Sequence, residues 1–289
     1  MIDSHLHLWT LDTFVTGGER PYSWLGPQHG VLFRSFGEEE ARETLDAAGV
    51  RGAVLVQADD TVADTESMLA VASRNPWVLG VLGWVKLDSP AEAVAQLEGF
   101  AGQPVFKGVR HLVHNDPRQD FLDLPSVRES LASVARRGFT FDVPDAFPRH
   151  LGATVRLARE LPELTVVLDH LGKPPLADQA VMGSWRADFM ALGREPNAVA
   201  KLSGLCVADL PYNSATLRPL FETALEAFGA ARLMIGGDWP VSTLGAPYGR
   251  TLDVLLELVS SLSPTEQDLI LEGTAIRTYG LAANPLVDA

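Results

Sequence analysis

Short apolar runs alternate with longer amphipathic stretches along the whole chain, and no other feature of the sequence restricts the possible folds as strongly. Eight such runs are present, at residues 1–7, 52–57, 79–85, 106–112, 139–143, 164–170, 198–203 and 232–238. Several are rich in β-branched residues and almost continuously hydrophobic, as in Ala53-Val54-Leu55-Val56. Such runs are typical of parallel strands that are buried on both faces.

Helical periodicity fills the intervals between the apolar runs. The predicted helices cover residues 37–48, 64–74, 90–100, 126–137, 148–160, 183–193, 214–228 and 248–262, and a last amphipathic stretch covers 264–279. Some boundaries carry capping signals, since Ser89 precedes a proline at a first helical position and Gly138 follows a basic last turn. The repeated alternation predicts an α/β fold of the (β/α)8 TIM-barrel type.

A doubly wound open sheet is the competing architecture, because periodicity alone does not separate the two. The sequence has neither a Gly-x-Gly-x-x-Gly after the first strand nor a Walker-type loop, and this favours the barrel. No linker or shift in composition divides the chain, so we expect one domain over residues 1–289. The irregular stretch at about 8–35 is interpreted as a long first βα loop, whose aromatic residues favour an ordered lid or pocket wall.

Composition limits the possible partners. The formal net charge is -14 and no basic run or stripe is present, which argues against binding to nucleic acid or to an anionic membrane. No apolar run approaches the roughly 20 residues that span a bilayer, and no export signal opens the chain. The single cysteine, Cys206, excludes an internal disulfide and fits a reducing compartment. We expect a cytoplasmic protein that acts on a small molecule; a homodimer is compatible with the sequence, which does not fix the oligomeric state.

The C-terminal ends of the predicted strands carry most of the residues with chemical potential, and barrels of this type place their active sites at that end. In strand order these residues are His5 and His7, Gln57, Trp84, Arg110 and His111, Asp142, Asp169 and His170, Lys201 and Ser203, and Asp238. Chance would scatter polar residues along the strands. Their clustering therefore predicts a catalytic site at this edge of the barrel.

The first-strand histidines indicate the kind of chemistry. His5 and His7 are two residues apart, so an extended strand projects both side chains to the same face. In one interpretation they join His170 and Asp238 in holding one divalent metal, zinc or manganese. In the other no metal is bound, the imidazoles and Arg110 polarise a carbonyl, and Asp238 takes a proton from water. Both interpretations describe attack of water on an electrophilic carbonyl.

For other residues near the strand ends, the sequence favours or allows a structural role. Asp169 is interpreted as an orienting partner or a strand-end cap. Two interpretations of Lys201 have equal weight: an ion pair inside the barrel, or substrate binding. Cys206 is expected to be a packed thiol, because no basic residue flanks it to lower its pKa. His29 and His150 are expected to be exposed to solvent.

Five motifs occur in a fixed order: Asp3-Ser4-His5-Leu6-His7, Lys107-Gly108-Val109-Arg110-His111, Asp169-His170-Leu171-Gly172-Lys173-Pro174, Lys201-Leu202-Ser203-Gly204-Leu205 and Gly237-Asp238-Trp239-Pro240. Together they resemble the amidohydrolase superfamily (amidohydrolase family 2), specifically its sugar-lactone hydrolase branch. That branch includes L-fuconolactonases and L-rhamnonolactonases, with 2-pyrone-4,6-dicarboxylate lactonase as a close relative. The resemblance extends from the first strand to the last helix.

The resemblance implies a hydrolase that opens a small sugar-derived or carboxylated lactone. It implies Asp238 as general base and His5, His7 and His170 as the carbonyl-polarising cluster, with Arg110 in contact with the substrate. The further substrate-binding candidates are Lys173, Gln57, Trp84, Trp24 and His111. The fourth and fifth strands lack the lysine and histidine of two-metal relatives, so at most one metal is implied.

Two other functions stay open at this point. Related barrels with the same first-strand pair decarboxylate or hydrate small carboxylic acids, so a lyase is the alternative enzyme. A barrel that binds a sugar acid without turning it over is the third hypothesis, and the complete set of His5, His7, His170 and Asp238 disfavours it.

Overall fold

Eight parallel strands stand at the centre of this protein, and each pairs with the next one along the chain. The structure is a computed structural model and describes residues 1–11, 22–206 and 210–282. All eight predicted strands are present within a few residues of their predicted bounds. They are β1 (Ile2–Leu6), β2 (Gly52–Val56), β3 (Val78–Gly83), β4 (Phe106–Arg110), β5 (Thr140–Val143), β6 (Val166–Leu168), β7 (Ala198–Leu202) and β8 (Leu233–Ile235).

Helices follow the strands and surround them. They are α1 (Glu38–Ala47), α2 (Val62–Arg74), α3 (Pro90–Phe100), α4 (Pro125–Arg136), α5 (Leu151–Glu160), α6 (Gln179–Gly193), α7 (Ser214–Phe228), α8 (Tyr248–Val259), α9 (Pro264–Asp268) and α10 (Thr274–Tyr279). The last predicted helix is divided, because a π-helical turn over Leu269–Gly273 separates α9 from α10 and places Ile270 in the core. The predicted (β/α)8 barrel is confirmed.

The first and last strands meet at their C-terminal ends and complete the ring. The backbone N–H of His7 donates to the carbonyl of Trp239, and that of Asp238 donates to the carbonyl of His5, both at 2.8 Å. Below them, Ser4 Oγ donates to the carbonyl of Ile235 at 2.6 Å. These cross-strand bonds bring the first-strand histidines beside Asp238. We call the three side chains His5, His7 and Asp238 the seam.

Alternation along the strands divides the core into two clusters. One face of each strand packs against the helices, as Leu55 does, whereas the other face fills the inside of the barrel. The interior cluster contains Val54, Val56 and Leu82, and Tyr279 and Leu281 close it from below. The apolar residues therefore fill one end of the barrel and leave the polar residues at the other.

Part of the predicted first βα loop lies outside the described residues, at 12–21. In the part that is described, Trp9 forms a bridge with Phe36 and a 3-10 helix covers Pro27–Leu32. The single-domain assignment over residues 1–289 stays a prediction. Across the described part of the chain, no helix has the length and apolar character to span a bilayer.

Candidate active site

The seam brings three ligand-type atoms together at the C-terminal end of the barrel. His5 Nε2 lies 3.1 Å from His7 Nε2. Asp238 Oδ1 lies 3.5 Å from His7 Nε2 and 3.8 Å from His5 Nε2. All three side chains are 5% exposed or less. Because the backbone bonds between β1 and the segment after β8 fix all three, their convergence is built into the closure of the barrel.

Neighbouring groups orient the two imidazoles of the seam. His7 Nδ1 lies 2.8 Å from the carbonyl of Val56, so this nitrogen carries the proton and its Nε2 lone pair faces the other two atoms. His5 Nδ1 lies 3.3 Å from Asp169 Oδ1 and 3.2 Å from Lys201 Nζ. A carbonyl or carboxylate on the far nitrogen is the usual arrangement behind a metal-binding histidine.

The donor set fits a divalent metal. A tetrahedral ion with nitrogen and oxygen ligands at about 2.1 Å separates its ligand atoms by roughly 3.4 Å. The three separations in the seam, 3.1, 3.5 and 3.8 Å, lie around that value. The lone pair of His7 Nε2 faces the Asp238 carboxylate, and two electron-rich groups repel each other. A cation or a shared proton between them would remove this repulsion. His5, His7 and Asp238 therefore form a cluster that could hold one metal ion. The four predicted metal ligands, which also include His170, stay a prediction.

His170 reaches the site through an unusual turn after β6. Four consecutive residues, His170 to Lys173, have positive φ between 52° and 73°. Left-handed backbone costs roughly 1–2 kcal/mol for each residue other than glycine, so tertiary contacts must hold the turn. Trp185 Nε1 donates to the carbonyl of Leu171, and the N–H of Phe147 donates to that of Gly172, both at 2.9 Å. The turn places the His170 ring 4.6 Å from the ring of His5, centroid to centroid.

Ser203 and Gly204, just after β7, complete the surroundings of His170. Ser203 Oγ lies 2.9 Å from His170 Nδ1. A Cβ on Gly204 would lie 2.4 Å from that same Nδ1 and 2.9 Å from Asp238 Oδ2. Only glycine leaves His170 and Asp238 at their present positions. The Oδ2 atom of Asp238 thus faces Gly204, while its Oδ1 faces the seam histidines.

Protonation in the site follows from burial and charge. Burial opposes the ionised form of Asp238, but the surrounding histidines, His170 foremost, stabilise that form more strongly and hold the pKa of Asp238 below its ordinary range. Burial lowers the pKa of His170 and moves that of His5 well below its ordinary value. At neutral pH the site combines an ionised Asp238 carboxylate with neutral rings at His5 and His170. This state suits both water activation and metal binding.

A buried ion network supports the seam from inside the barrel. Lys201 Nζ lies 2.7 Å from Asp142 Oδ2 and 3.0 Å from Asp169 Oδ1, and all three side chains are fully buried. Arg110 Nε donates to Asp169 Oδ2 at 2.8 Å. Burial opposes ionisation of Asp169, but Lys201, His5 and Arg110 outweigh it and hold its pKa well below the ordinary value. Of the two readings of Lys201, the structure therefore favours the ion pair inside the barrel.

A cavity of about 150 Å³ opens above the seam. Its floor comes from the strand ends and includes His7, Arg110, His170 and Asp238. Loop residues form its wall: Trp24, Ala58, Leu112, His114, Asn115, Asp145, Lys173 and Val241. An adjoining cavity shares Lys173, Asp238 and Val241 with it. The volume is that of a site for one small molecule.

Three predicted substrate-binding residues are not among those that line this cavity. Gln57 Nε2 donates to Asp60 Oδ1 at 2.9 Å. Trp84 Nε1 donates to His111 Nδ1 at 3.1 Å, and the His111 ring stacks on Phe121 with centroids 4.1 Å apart. The Gln57 amide nitrogen, Trp84 and His111 are therefore engaged by other groups of the protein, while the buried Gln57 Oε1 has no partner among the described residues. Trp24 and Lys173 do line the cavity.

The expectation that His150 is exposed is wrong. Its side chain is fully buried. The predicted helix began at residue 148, whereas α5 begins at Leu151, so His150 precedes the helix instead of lying on its outer face. Its carbonyl accepts a hydrogen bond from Thr154 Oγ1 at 2.8 Å.

Sequence reasoning did not assign functions to two groups of residues. Asp3, beside the first-strand histidines, accepts hydrogen bonds from the N–H groups of His5 and Gly237 at 2.9 Å, and from the Tyr248 hydroxyl at 2.7 Å. Asp3 therefore links the backbone next to the seam residues on both strands.

Asn115 and Asp145 form the second group and lie in the cavity wall. The position of Asp145 just after the fifth strand was the available signal, because loops after barrel strands carry site residues.

The parallel barrel has one histidine on β1 and another just after it, a histidine after β6 and an ionised aspartate after β8. This arrangement defines a hydrolase-type barrel with a metal-capable site at the C-terminal strand ends. The family follows from comparison with known proteins. This chain belongs to the amidohydrolase family, since the family model described as amidohydrolase matches residues 2–281. The predicted family is confirmed.

Individual relatives agree with this assignment. The chain is 33% identical to an L-fucono-1,5-lactonase of Burkholderia ambifaria, over 86% of this chain and 83% of that protein. It is 31% identical to an L-fucono-1,5-lactonase of Burkholderia multivorans, over 97% and 96% of the two chains. A crystal structure of an amidohydrolase from Burkholderia multivorans with bound zinc superposes with a TM-score of 0.87 at 29% identity, and the match covers 97% of this chain and 99% of that one.

Proposed function

We propose that this protein hydrolyses a sugar-derived lactone of the L-fucono-1,5-lactone kind. The observation that carries the proposal is the ionised Asp238 at the floor of a small cavity, with one oxygen towards the seam histidines and the other towards His170 and Gly204. The two relatives above 30% identity are L-fucono-1,5-lactonases. They confirm the predicted enzyme class, a lactone hydrolase, and they support a sugar lactone as the substrate.

The site is proposed to work with one divalent metal held by His5, His7 and Asp238. The zinc in the similar Burkholderia multivorans structure supports zinc as that metal. When bound, such an ion polarises oxygen ligands and lowers the pKa of bound water. Lys201 lies 3.2 Å from His5 Nδ1 and 3.0 Å from Asp169 Oδ1, so its positive charge opposes a second ion beside the first.

Asp238 is the proposed general base. Its Oδ1 faces the seam and its Oδ2 remains available on the other side, so the carboxylate can accept a proton from the attacking water. The water oxygen forms a bond to the lactone carbonyl carbon, and the ring C–O bond then breaks. Asp238 returns the proton to the departing ring oxygen. The product is an open-chain hydroxy acid, which releases one proton at neutral pH.

His170 is proposed to stabilise the carbonyl oxygen as it gains negative charge. If the Ser203 hydroxyl donates to Nδ1, the neutral ring carries its proton on Nε2 and can donate it towards the cavity. The lowered pKa of His170 keeps the ring neutral at physiological pH. Arg110, held by Asp169, lies in the same floor and is proposed to contact the substrate.

The test is a pH-indicator assay of a panel of aldonolactones, with the protein as purified and after chelation, and with its metal content measured in parallel. We expect acid release above the spontaneous rate from a few lactones, loss of the excess rate on chelation, and recovery on addition of zinc. The Asp238→Asn variant supplies the background rate. Acid release that is equal in the two proteins would reject the proposal. Release of CO2 from aromatic acids, without lactone opening, would replace it with the decarboxylase alternative.

A further inference from the structure

Asp145 presents an unused acceptor to the cavity. It follows β5 and lies in the cavity wall beside Lys173 and His114. Among the described residues, the nearest positive charge is Lys173 Nζ, 4.0 Å from Asp145 Oδ1. Within residues 1–11, 22–206 and 210–282, no group donates a hydrogen bond to this carboxylate. An ionised carboxylate accepts several hydrogen bonds, so its capacity is available to a ligand.

The loop holds Asp145 in one position. Its φ is 42°, a left-handed conformation that Asp and Asn adopt more readily than most residues. Two residues later, the N–H of Phe147 donates to Gly172 in the left-handed turn that carries His170. The N–H of His150 also donates to the carbonyl of Ala146 at 2.6 Å. Asp145 is therefore anchored to the same turn as a proposed catalytic residue.

The charges around the cavity disfavour a substrate that carries carboxylates. Arg110 is paired with Asp169 at 2.8 Å, and Lys173 lies between Asp145 and the carbonyl of Gly204, which is 3.4 Å from its Nζ. Among the described residues that line the cavity, both positive side chains thus already face an acceptor of the protein. A carboxylate on the substrate would meet the negative charge of Asp145 and would compete with these acceptors for the cations, whereas hydroxyl groups would donate to Asp145.

We propose that Asp145 determines substrate specificity: it accepts hydrogen bonds from hydroxyl groups of a neutral polyhydroxylated lactone and excludes lactones with carboxylate substituents. This inference rests on the proposed lactonase function and chooses between the two substrate classes that the sequence left open. Lys173 lies beside Asp145 in the same wall, with its Nζ 4.0 Å from Asp145 Oδ1. The ring carbonyl would then lie over His170 and Asp238, with the hydroxylated side of the ring against the loop wall.

The test compares the Asp145→Asn variant with the unmodified protein on three lactones. L-fucono-1,5-lactone has hydroxyl groups, δ-valerolactone has none, and 2-pyrone-4,6-dicarboxylate carries carboxylates. A hydrogen bond to a charged acceptor contributes enough that its loss should raise KM for the hydroxylated lactone about 10- to 100-fold. KM for δ-valerolactone should not change, and the discrimination against the dicarboxylate should shrink. Asp120→Asn, which removes the same charge from an exposed loop position, is the matched control.

Equilibrium binding separates this inference from the proposed function. In the Asp238→Asn background, calorimetry should show weaker binding of L-fucono-1,5-lactone when Asp145 is also changed to Asn, even if turnover is absent. Equal effects on the hydroxylated and unsubstituted lactones would overturn the role of Asp145. So would unchanged binding, or better turnover of the dicarboxylate by the unmodified protein. A protein that opens no lactone but shows the binding difference would reject only the proposed function.

Discussion

The seam and the loop wall of the cavity differ in how firmly the fold holds them. The seam side chains are 5% exposed or less, and backbone hydrogen bonds of 2.8 Å cross between their strands. In the loop wall, the side chains of Lys173 and Asp145 are 42% and 30% exposed, and their mutual distance is 4.0 Å. Rigid strands hold the groups proposed to react, whereas half-exposed loops hold those proposed to select the substrate.

Because of this difference, we expect substitutions in the seam and substitutions in the loop wall to have different effects. The buried carboxylate and imidazoles of the seam satisfy one another, so loss of one member leaves another polar group buried without its partner. Exposed contacts of the loop wall are weakened by solvent and tolerate substitution. We therefore expect seam variants to lose reaction rate or stability, and loop-wall variants to change which substrate is used.

The largest effect should come from Asp238→Asn. Asparagine adopts left-handed backbone readily, so the φ of 53° at this position is retained. Loss of the proposed base should lower kcat by about 10³-fold, within the range for general-base catalysis. Lactone hydrolysis and a thermal melt measure rate and folding separately. A folded variant with nearly unchanged turnover would remove Asp238 from the mechanism.

Lys201→Met tests the network beneath the seam. The substitution leaves Asp142 buried without its cation and Asp169 with Arg110 alone, and breaking a buried pair costs about 3–5 kcal/mol of unfolding free energy. Urea unfolding measures the loss. Lys107→Met is the control, because the Nζ of this β4 lysine donates to the carbonyl of Gly280 at an exposed position and pairs with no carboxylate of the described residues. Similar losses in the two variants would show that the buried charge has no special role.

Asp64 connects the loop wall to α2 and should make stability depend on pH. It accepts hydrogen bonds from the Tyr22 hydroxyl at 2.7 Å and the Ala58 N–H at 2.8 Å, and burial raises its pKa to about 7 from 3.8. The folded state therefore binds a proton that the unfolded state has released between about pH 4 and about pH 7. Stability from this group is present at low pH and is lost as pH rises through that window.

The Asp64→Asn variant should lack this dependence, since its amide can accept from Ala58 and donate to the Tyr22 oxygen. Relative to the variant, the unmodified protein should lose on the order of 3 kcal/mol of unfolding free energy as pH rises across the window. Urea titrations at several pH values measure the difference, with exposed Asp253→Asn as control. A difference in unfolding free energy between the two proteins that stays constant with pH would contradict a raised pKa at Asp64.

Gly204→Ala tests the boundary between the seam and the loop wall. The new Cβ would lie 2.4 Å from His170 Nδ1, at a backbone φ of 56°. Strain and crowding together should cost about 1–3 kcal/mol of stability, and displacement of His170 should lower kcat/KM by as much as about 100-fold. Gly280→Ala has a similar φ of 54° but open space around the Cβ. It should lose stability alone, and a matching loss of activity would refute the crowding explanation.

The sequence by itself determined the barrel and the edge at which the site lies. Runs such as 52–57 become strands because continuous hydrophobicity over a few residues is a local property, and β2 covers Gly52–Val56. The pairing of His5 with His7 on one face follows from the geometry of a strand. The eighth-strand position of Asp238 places it at the same edge. These inferences need no knowledge of which side chains meet.

Only the tertiary structure decided which polar side chains meet one another. Lys201 pairs with Asp142 and Asp169 because three neighbouring strands direct their side chains into one barrel interior. The Gln57 amide nitrogen, Trp84 and His111 find partners within the protein, in residues that are distant in sequence or lie in loops. Asp145 enters the cavity wall through a turn anchored to Gly172. Loop conformations and side-chain partners depend on contacts between distant segments, and a local pattern carries no record of those contacts.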